Sequence, residues 1–178
     1  STKSAPESNS KILMNIYLIG MMGSGKSTVG KILSKKLEIP FLDIDHYIEV
    51  KAHKTISEIF TEDGESRFRQ LESEVLETIE NSNVVAACGG GIVLNQTNRN
   101  QLASSGKVIF LDTSIQVLAK RLQSVIDRPL LGGKEVENEL SRLWADRENL
   151  YKDTCHFSVN TNQSTAEEVA INIYNQIN

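Results

Sequence analysis

Gly20-Met21-Met22-Gly23-Ser24-Gly25-Lys26-Ser27 decides the fold of this chain. The stretch satisfies G-x-x-x-x-G-K-[ST]. It follows the short apolar run Asn15 to Ile19, and after it Val29, Ile32, Leu33 and Leu37 recur at helical spacing. Strand, glycine loop and helix in that order make a phosphate cradle. Glycines let successive backbone N–H groups turn inward, and the following helix points its positive end at the anion. The residues that qualify as nucleotide contacts are Gly23, Ser24, Gly25, Lys26, Ser27 and Thr28. Lys26 is expected to reach the β- and γ-phosphates, and Ser27 to hold Mg2+ through its hydroxyl. A switch-type GTPase would also need D-x-x-G and N-K-x-D, and neither occurs in the sequence. Phosphoryl transfer is the reaction class that remains.

Outward from this loop, strand-like and helix-like stretches alternate. Further short apolar runs are Phe41 to Asp45, Asn83 to Cys88, Lys107 to Leu111 and His156 to Val159. Four of the five runs lead into helical patterns, which predicts an α/β fold with a parallel, doubly wound sheet. Thr55 with Glu58 and Thr165 with Glu168 read as capping boxes. Phe68, Leu71, Val75, Leu76 and Ile79 form the apolar stripe of a helix beginning near Gly64. Ser124 to Glu137 has no clear period and is expected to be a lid.

Composition narrows the function. The chain has 178 residues, enough for one domain with a sizeable core, and a net charge of -4 argues against a general nucleic-acid binder. Cys88 and Cys155 make no disulfide framework or metal spacing, which predicts a reducing cytoplasm. No apolar run is long enough to span a bilayer. Ser1 to Lys11 is polar and is expected to be a disordered or foreign extension ahead of a single domain over 12–178. No surplus amphipathic helix demands a partner, so a monomer is expected.

Three further features carry candidate chemistry. Asp43 and Asp45 stand at the end of the second strand, where open α/β sheets bind their ligands. One carboxylate would hold a metal-bound water and the other accept a hydroxyl proton; the bland alternative is Asp45 as a helix cap. Gly89-Gly90-Gly91 closes the third strand, either as a flexible turn or because a ligand approaches the backbone closely. Among the arginines, the bland reading of Arg69 is a solvated pair with Glu65 four residues earlier, and that of Arg147 is a snorkelling side chain on a helix face with Val136, Leu140, Leu143 and Leu150. Arg128 sits in the expected lid, where it would clamp a transferring phosphate, and Arg121 would stack on a base.

Taken together, these residues resemble the shikimate kinase family from about Asn15 to the C-terminus. The matching marks are the phosphate loop, Asp43-x-Asp45, and Gly64-Glu65 with Phe68-Arg69 and Glu72. Gly89-Gly90-Gly91, Arg128-Pro129-Leu130-Leu131, and Arg147 four before Tyr151 complete the set. The resemblance implies a five-stranded sheet of the nucleoside-monophosphate-kinase type in order 2-3-1-4-5, and transfer of the ATP γ-phosphate to the 3-hydroxyl of shikimate. It implies that Asp45 binds that hydroxyl, while Arg69, Arg147 and the Gly90–Gly91 backbone hold the substrate. Asp43 and Ser27 would serve Mg2+, Arg128 would contact phosphate, and Arg121 would lie against adenine. The family usually follows the tyrosine with an Ala-Asp pair, where this chain has Cys155-His156. Within the enzyme class the alternative is another small-metabolite kinase, such as a gluconate kinase; outside it, an idle binding module that kept the fold.

Overall fold

In a computed structural model of the chain, residues 14–125 and 133–178 are described. The elements are β1 (Asn15–Ile19), α1 (Lys26–Leu37), β2 (Phe41–Asp43), α2 (Ile44–Ala52), the single turn α3 (Ile56–Glu58), α4 (Glu65–Thr78) and β3 (Val85–Ala87). They continue with α5 (Gln96–Ser105), β4 (Gly106–Asp112), α6 (Ile115–Val125), α7 (Gly133–Thr154), β5 (Phe157–Asn160) and α8 (Ala166–Ile177). The five strands pair in parallel in the order β2-β3-β1-β4-β5, as the family resemblance implies.

Alternation along the strands builds two cores, one on each face. From β1, Ile16 and Leu18 face α1 and α8, packing with Val29, Leu33, Val169 and Ile173. Tyr17 and Ile19 face the other layer, with Phe68, Val75, Leu102, Leu118 and Tyr151. The central strands are buried on both sides, which is why they read as short unbroken apolar runs. Asn15 is a buried exception: its amide donates to the Ile79 carbonyl (2.7 Å) and the Tyr17 hydroxyl (2.9 Å), and accepts from Val84 N–H (3.1 Å).

Three expectations need correction. The second strand ends at Asp43, because the Asp43 carboxylate accepts from His46 N–H and starts α2 there. Asp45 is therefore helical, and the cap is Asp43, two residues ahead of the residue the sequence offered for it. Thr55 does cap its helix, accepting from Glu58 N–H, but only α3 follows before the chain widens into a π-turn over Ile59–Asp63. The segment expected to be irregular over Ser124 to Glu137 is helical at both ends: α6 runs to Val125, and α7 starts at Gly133, with Glu135 in its first turn favourably placed at the helix's positive end. Residues 126–132, Arg128 among them, lie outside the described residues.

Candidate active site

The phosphate loop runs between β1 and α1, at the carboxyl edge of the central strand. Gly23 (φ 83°) and Gly25 (φ 95°) occupy the left-handed region that a side chain would strain. The first turn of α1 has neither a side-chain cap nor an acidic residue. Its N-terminal N–H groups are thus left to an anion rather than to the chain's own carboxylates. Lys26 folds back so that Nζ donates to the Gly20 carbonyl and to the Met21 carbonyl at 3.0 Å. Burial pulls its pKa down to about 8, against the opposing pull of Asp45 and Asp43. Ser24 is buried, and its Oγ has no partner among the described residues.

Two carboxylates face this loop in different states. Asp43 accepts from Ser27 Oγ at 2.8 Å and from His46 N–H at 3.2 Å. Asp45, in the first turn of α2, has a buried Oδ1 without a hydrogen-bond partner among the described residues. Burial and then the neighbouring Asp43 raise its pKa, opposed by Lys26 and Arg69. One carboxylate is tied to Ser27; the other keeps an oxygen without a partner among the described residues.

What comes close to the three glycines in this structure is the protein's own side chains. None of Gly89, Gly90 and Gly91 has a positive φ, so turn geometry does not require them. Space does: a Cβ at Gly91 would lie 2.5 Å from both Arg69 Nη1 and Nη2, and one at Gly89 would lie 2.8 Å from Asp45 Oδ1. A Cβ at Gly90 would meet Arg147 Nη1 at 3.2 Å. Arg69 from α4 and Arg147 from α7 therefore converge on one glycine turn beside Asp45. The surface pair of Arg69 with Glu65 is present at 3.4 Å, yet it is the outer half of the arrangement. The inner half is Glu72, wholly buried, whose Oε1 takes Arg69 Nη1 at 3.2 Å. Burial pushes the Glu72 pKa up to about 7 against the pull of Arg69, and its Oε2 has no partner among the described residues. Sequence reading counted Glu72 among the marks of the resemblance but gave it no role in the site. The available signal was a carboxylate following Leu71 inside the buried stripe of α4, one turn beyond Arg69.

Arg121 ties α6 to the phosphate loop and to the turn after β5. Its Nη1 donates to the Gly23 carbonyl (3.1 Å) and its Nη2 to the Thr161 carbonyl (3.3 Å). With Gly25, Thr28 and Ala166 it lines a cavity of about 420 Å³ next to the phosphate loop. Trp144 packs against Phe110 and Tyr151, and Cys88 is a buried core thiol whose pKa burial raises, so neither belongs to the reacting groups.

The shikimate kinase family model matches residues 22–178. A shikimate kinase of a Sulfurihydrogenibium species is 40% identical over 93% of this chain and 98% of its own length. One of Legionella pneumophila (strain Corby) is 42% identical over 89% and 91%. The solved structure of Acinetobacter baumannii shikimate kinase in complex with shikimate superposes with a TM-score of 0.85 at 39% identity, covering 93% of each chain. The chain belongs to the shikimate kinase family.

Proposed function

We propose that this enzyme transfers the γ-phosphate of ATP to the 3-hydroxyl of shikimate, giving shikimate 3-phosphate and ADP on the route to chorismate and the aromatic amino acids. The observation that carries the reading is the convergence of Arg69 and Arg147 on Gly90 and Gly91, beside Asp45 and within reach of the phosphate loop. Two guanidinium forks and two backbone N–H groups suit a carboxylate. Asp45, desolvated and unpartnered, is then the group that accepts the hydroxyl proton as the oxygen attacks phosphorus. Lys26 and the N-terminal N–H groups of α1 hold the β- and γ-phosphates and offset charge growing on the transferred group. Arg121 borders the cavity assigned to adenine. Arg128, outside the described residues, is assigned to the phosphates from the lid.

The residues fit Mg2+. The Ser27 hydroxyl and the Asp43 carboxylate already meet at 2.8 Å, and Mg2+ commonly takes one or two protein oxygens, with phosphate and water supplying the rest. Held there by Ser27 and Asp43, the ion would offset negative charge on the phosphates. Action as a monomer is part of the same proposal. Cys88 and Cys155 are both free, in keeping with a cytoplasmic setting.

A coupled assay for ADP release, run with ATP and Mg2+ and with shikimate, gluconate or no acceptor, tests the proposal. Turnover is expected with shikimate alone. Equal rates in the three arms, or preference for gluconate, would overturn it.

A further inference from the structure

The acceptor turn has no side chains of its own to brace it. Its carbonyls are nevertheless accounted for: Ile92 N–H bonds to Gly89 O and Leu94 N–H to Gly91 O, each at 3.1 Å. The Gly90 carbonyl is the third, and it receives the Tyr151 hydroxyl at 2.5 Å. By contrast, the Gly90 and Gly91 N–H groups have no hydrogen-bond partner among the described residues. Tyr151 is wholly buried, its ring stacked with Phe110 (centroids 5.1 Å apart) and Trp144 (6.2 Å). A phenol in such a slot must spend its one proton on a nearby acceptor. The Met21 sulfur at 3.7 Å is the weaker alternative, so the proton goes to the Gly90 carbonyl.

We infer that the Tyr151 hydroxyl is a positioning group for the acceptor site: by fixing the Gly90 carbonyl it aims the Gly91 N–H at the carboxylate of the acceptor. The inference rests on the acceptor reading above. In a trans peptide the C=O of one residue and the N–H of the next point in opposite directions within one plane. Holding the oxygen therefore sets the direction of the donor. Glycine backbones have the widest conformational freedom, so this plane is the one most in need of an outside hold. Tyr151 also lies one helical turn beyond Arg147, so one face of α7 delivers both the guanidinium at Gly90 and the hydroxyl that fixes its carbonyl. Burial pushes the Tyr151 pKa up to about 12 despite Arg147 beside it, which keeps the phenol a neutral donor at working pH.

The test is Tyr151→Phe, which keeps the ring stack and removes the hydroxyl. Shikimate and ATP dissociation constants are measured together with spectra of protein labelled with 15N only at its 11 glycines. The expected result is shikimate affinity weakened about 5- to 10-fold, ATP affinity within twofold of the parent, and amide shifts centred on Gly90 and Gly91. Unchanged shikimate affinity in a folded variant overturns the inference. So does equal weakening of both ligands with shifts scattered over all glycines, which marks general loosening. Should Tyr151→Phe not fold, 3-fluorotyrosine at position 151 sharpens the donor instead; unmoved Gly90 and Gly91 amides then refute the role. If the parent protein does not bind shikimate, the functional reading fails, and the glycine amides alone decide the Tyr151 assignment.

Discussion

At the scale of single residues, the site depends on charges kept partly unsatisfied. Lys26 is a cation whose burial costs enough to bring its pKa to about 8, so its charge is present at neutral pH with little reserve. The sign follows directly. In the free enzyme Lys26 loses its proton as pH rises through about 8, and the neutral amine no longer attracts phosphate. Bound triphosphate holds the proton on and moves that loss to higher pH. The expected pH profile is a fall in kcat/KM for ATP above about pH 8 while kcat persists further into base, since the first parameter reports the free enzyme and the second the complex. A kcat/KM flat to about pH 9.5 would place the titration elsewhere. The two aspartates give a second contrast. Asp45→Asn keeps shape and removes the proton acceptor, so turnover should fall at least about 100-fold with ATP binding retained. Asp43→Asn should instead raise the Mg2+ concentration needed for half-maximal rate and loosen the start of α2, because Asp43 is bonded to both Ser27 and His46. Identical magnesium titrations for the two variants would dissolve the division of roles.

At the scale of elements, the start of β5 shows how a departure from the family pattern is accommodated. His156 Nδ1 accepts the Val108 N–H at 2.9 Å, and His156 N–H returns to the Val108 carbonyl at 2.8 Å, extending the β4–β5 ladder by one step. An aspartate would offer an acceptor there too; a histidine offers one that titrates. Burial, then Lys107, holds the His156 pKa below its ordinary 6.5. Its contribution to stability is therefore complete above about pH 6.5, where the unfolded chain is also neutral, and drains as pH falls through the folded value. His156→Ala should cost about 1 kcal/mol at pH 7.5, a fall of roughly 2–4 °C in Tm. His156→Asn keeps an acceptor and should lose less Tm than the parent between pH 7 and 5; parallel Tm curves would contradict the account. The same strand shows what was legible in sequence. Its existence was, from Phe157 and Val159, but the role of His156 was not, because a ladder bond to a side chain leaves no period. Likewise the phosphate loop could be read because its backbone geometry demands glycines at fixed spacing. The pairing of Glu72 with Arg69 could not, since Arg69 had an equally good surface partner in Glu65. Asp43 and Asp45 were found as a pair, while their separation into cap and free carboxylate depended on the strand ending two residues early.

At the scale of the whole molecule, the proposed acceptor site is where two distant parts of the chain meet. Arg69 lies on α4, packed with α2 before the third strand, and Arg147 lies on α7, after the fourth. Nothing in either helix alone makes a carboxylate site; the sheet order and the bare Gly90–Gly91 backbone bring the guanidinium groups to one place. If both grip one carboxylate, the bound acceptor couples the two helices, and this coupling is measurable. Lysine is the informative substitution. It keeps the positive charge that faces buried Glu72, so the ion pair is not simply broken, which alone would cost about 3–5 kcal/mol. What lysine removes is the planar fork. A hydrogen bond to a charged group is worth about 1.5–3 kcal/mol, so Arg69→Lys or Arg147→Lys should weaken shikimate binding roughly 10- to 150-fold. ATP affinity should change less than about twofold, because neither residue bonds to the phosphate loop. The double variant should lose less than the two single losses combined, since either arginine alone leaves the carboxylate misaligned for the other. A surface pair for Arg69 and a snorkelling role for Arg147 make a different forecast: small changes in Tm, none in shikimate affinity, and strict additivity. Titrations of shikimate and ATP against the two single variants and the double variant separate the alternatives, and full additivity would mean that the two arginines hold different parts of the substrate.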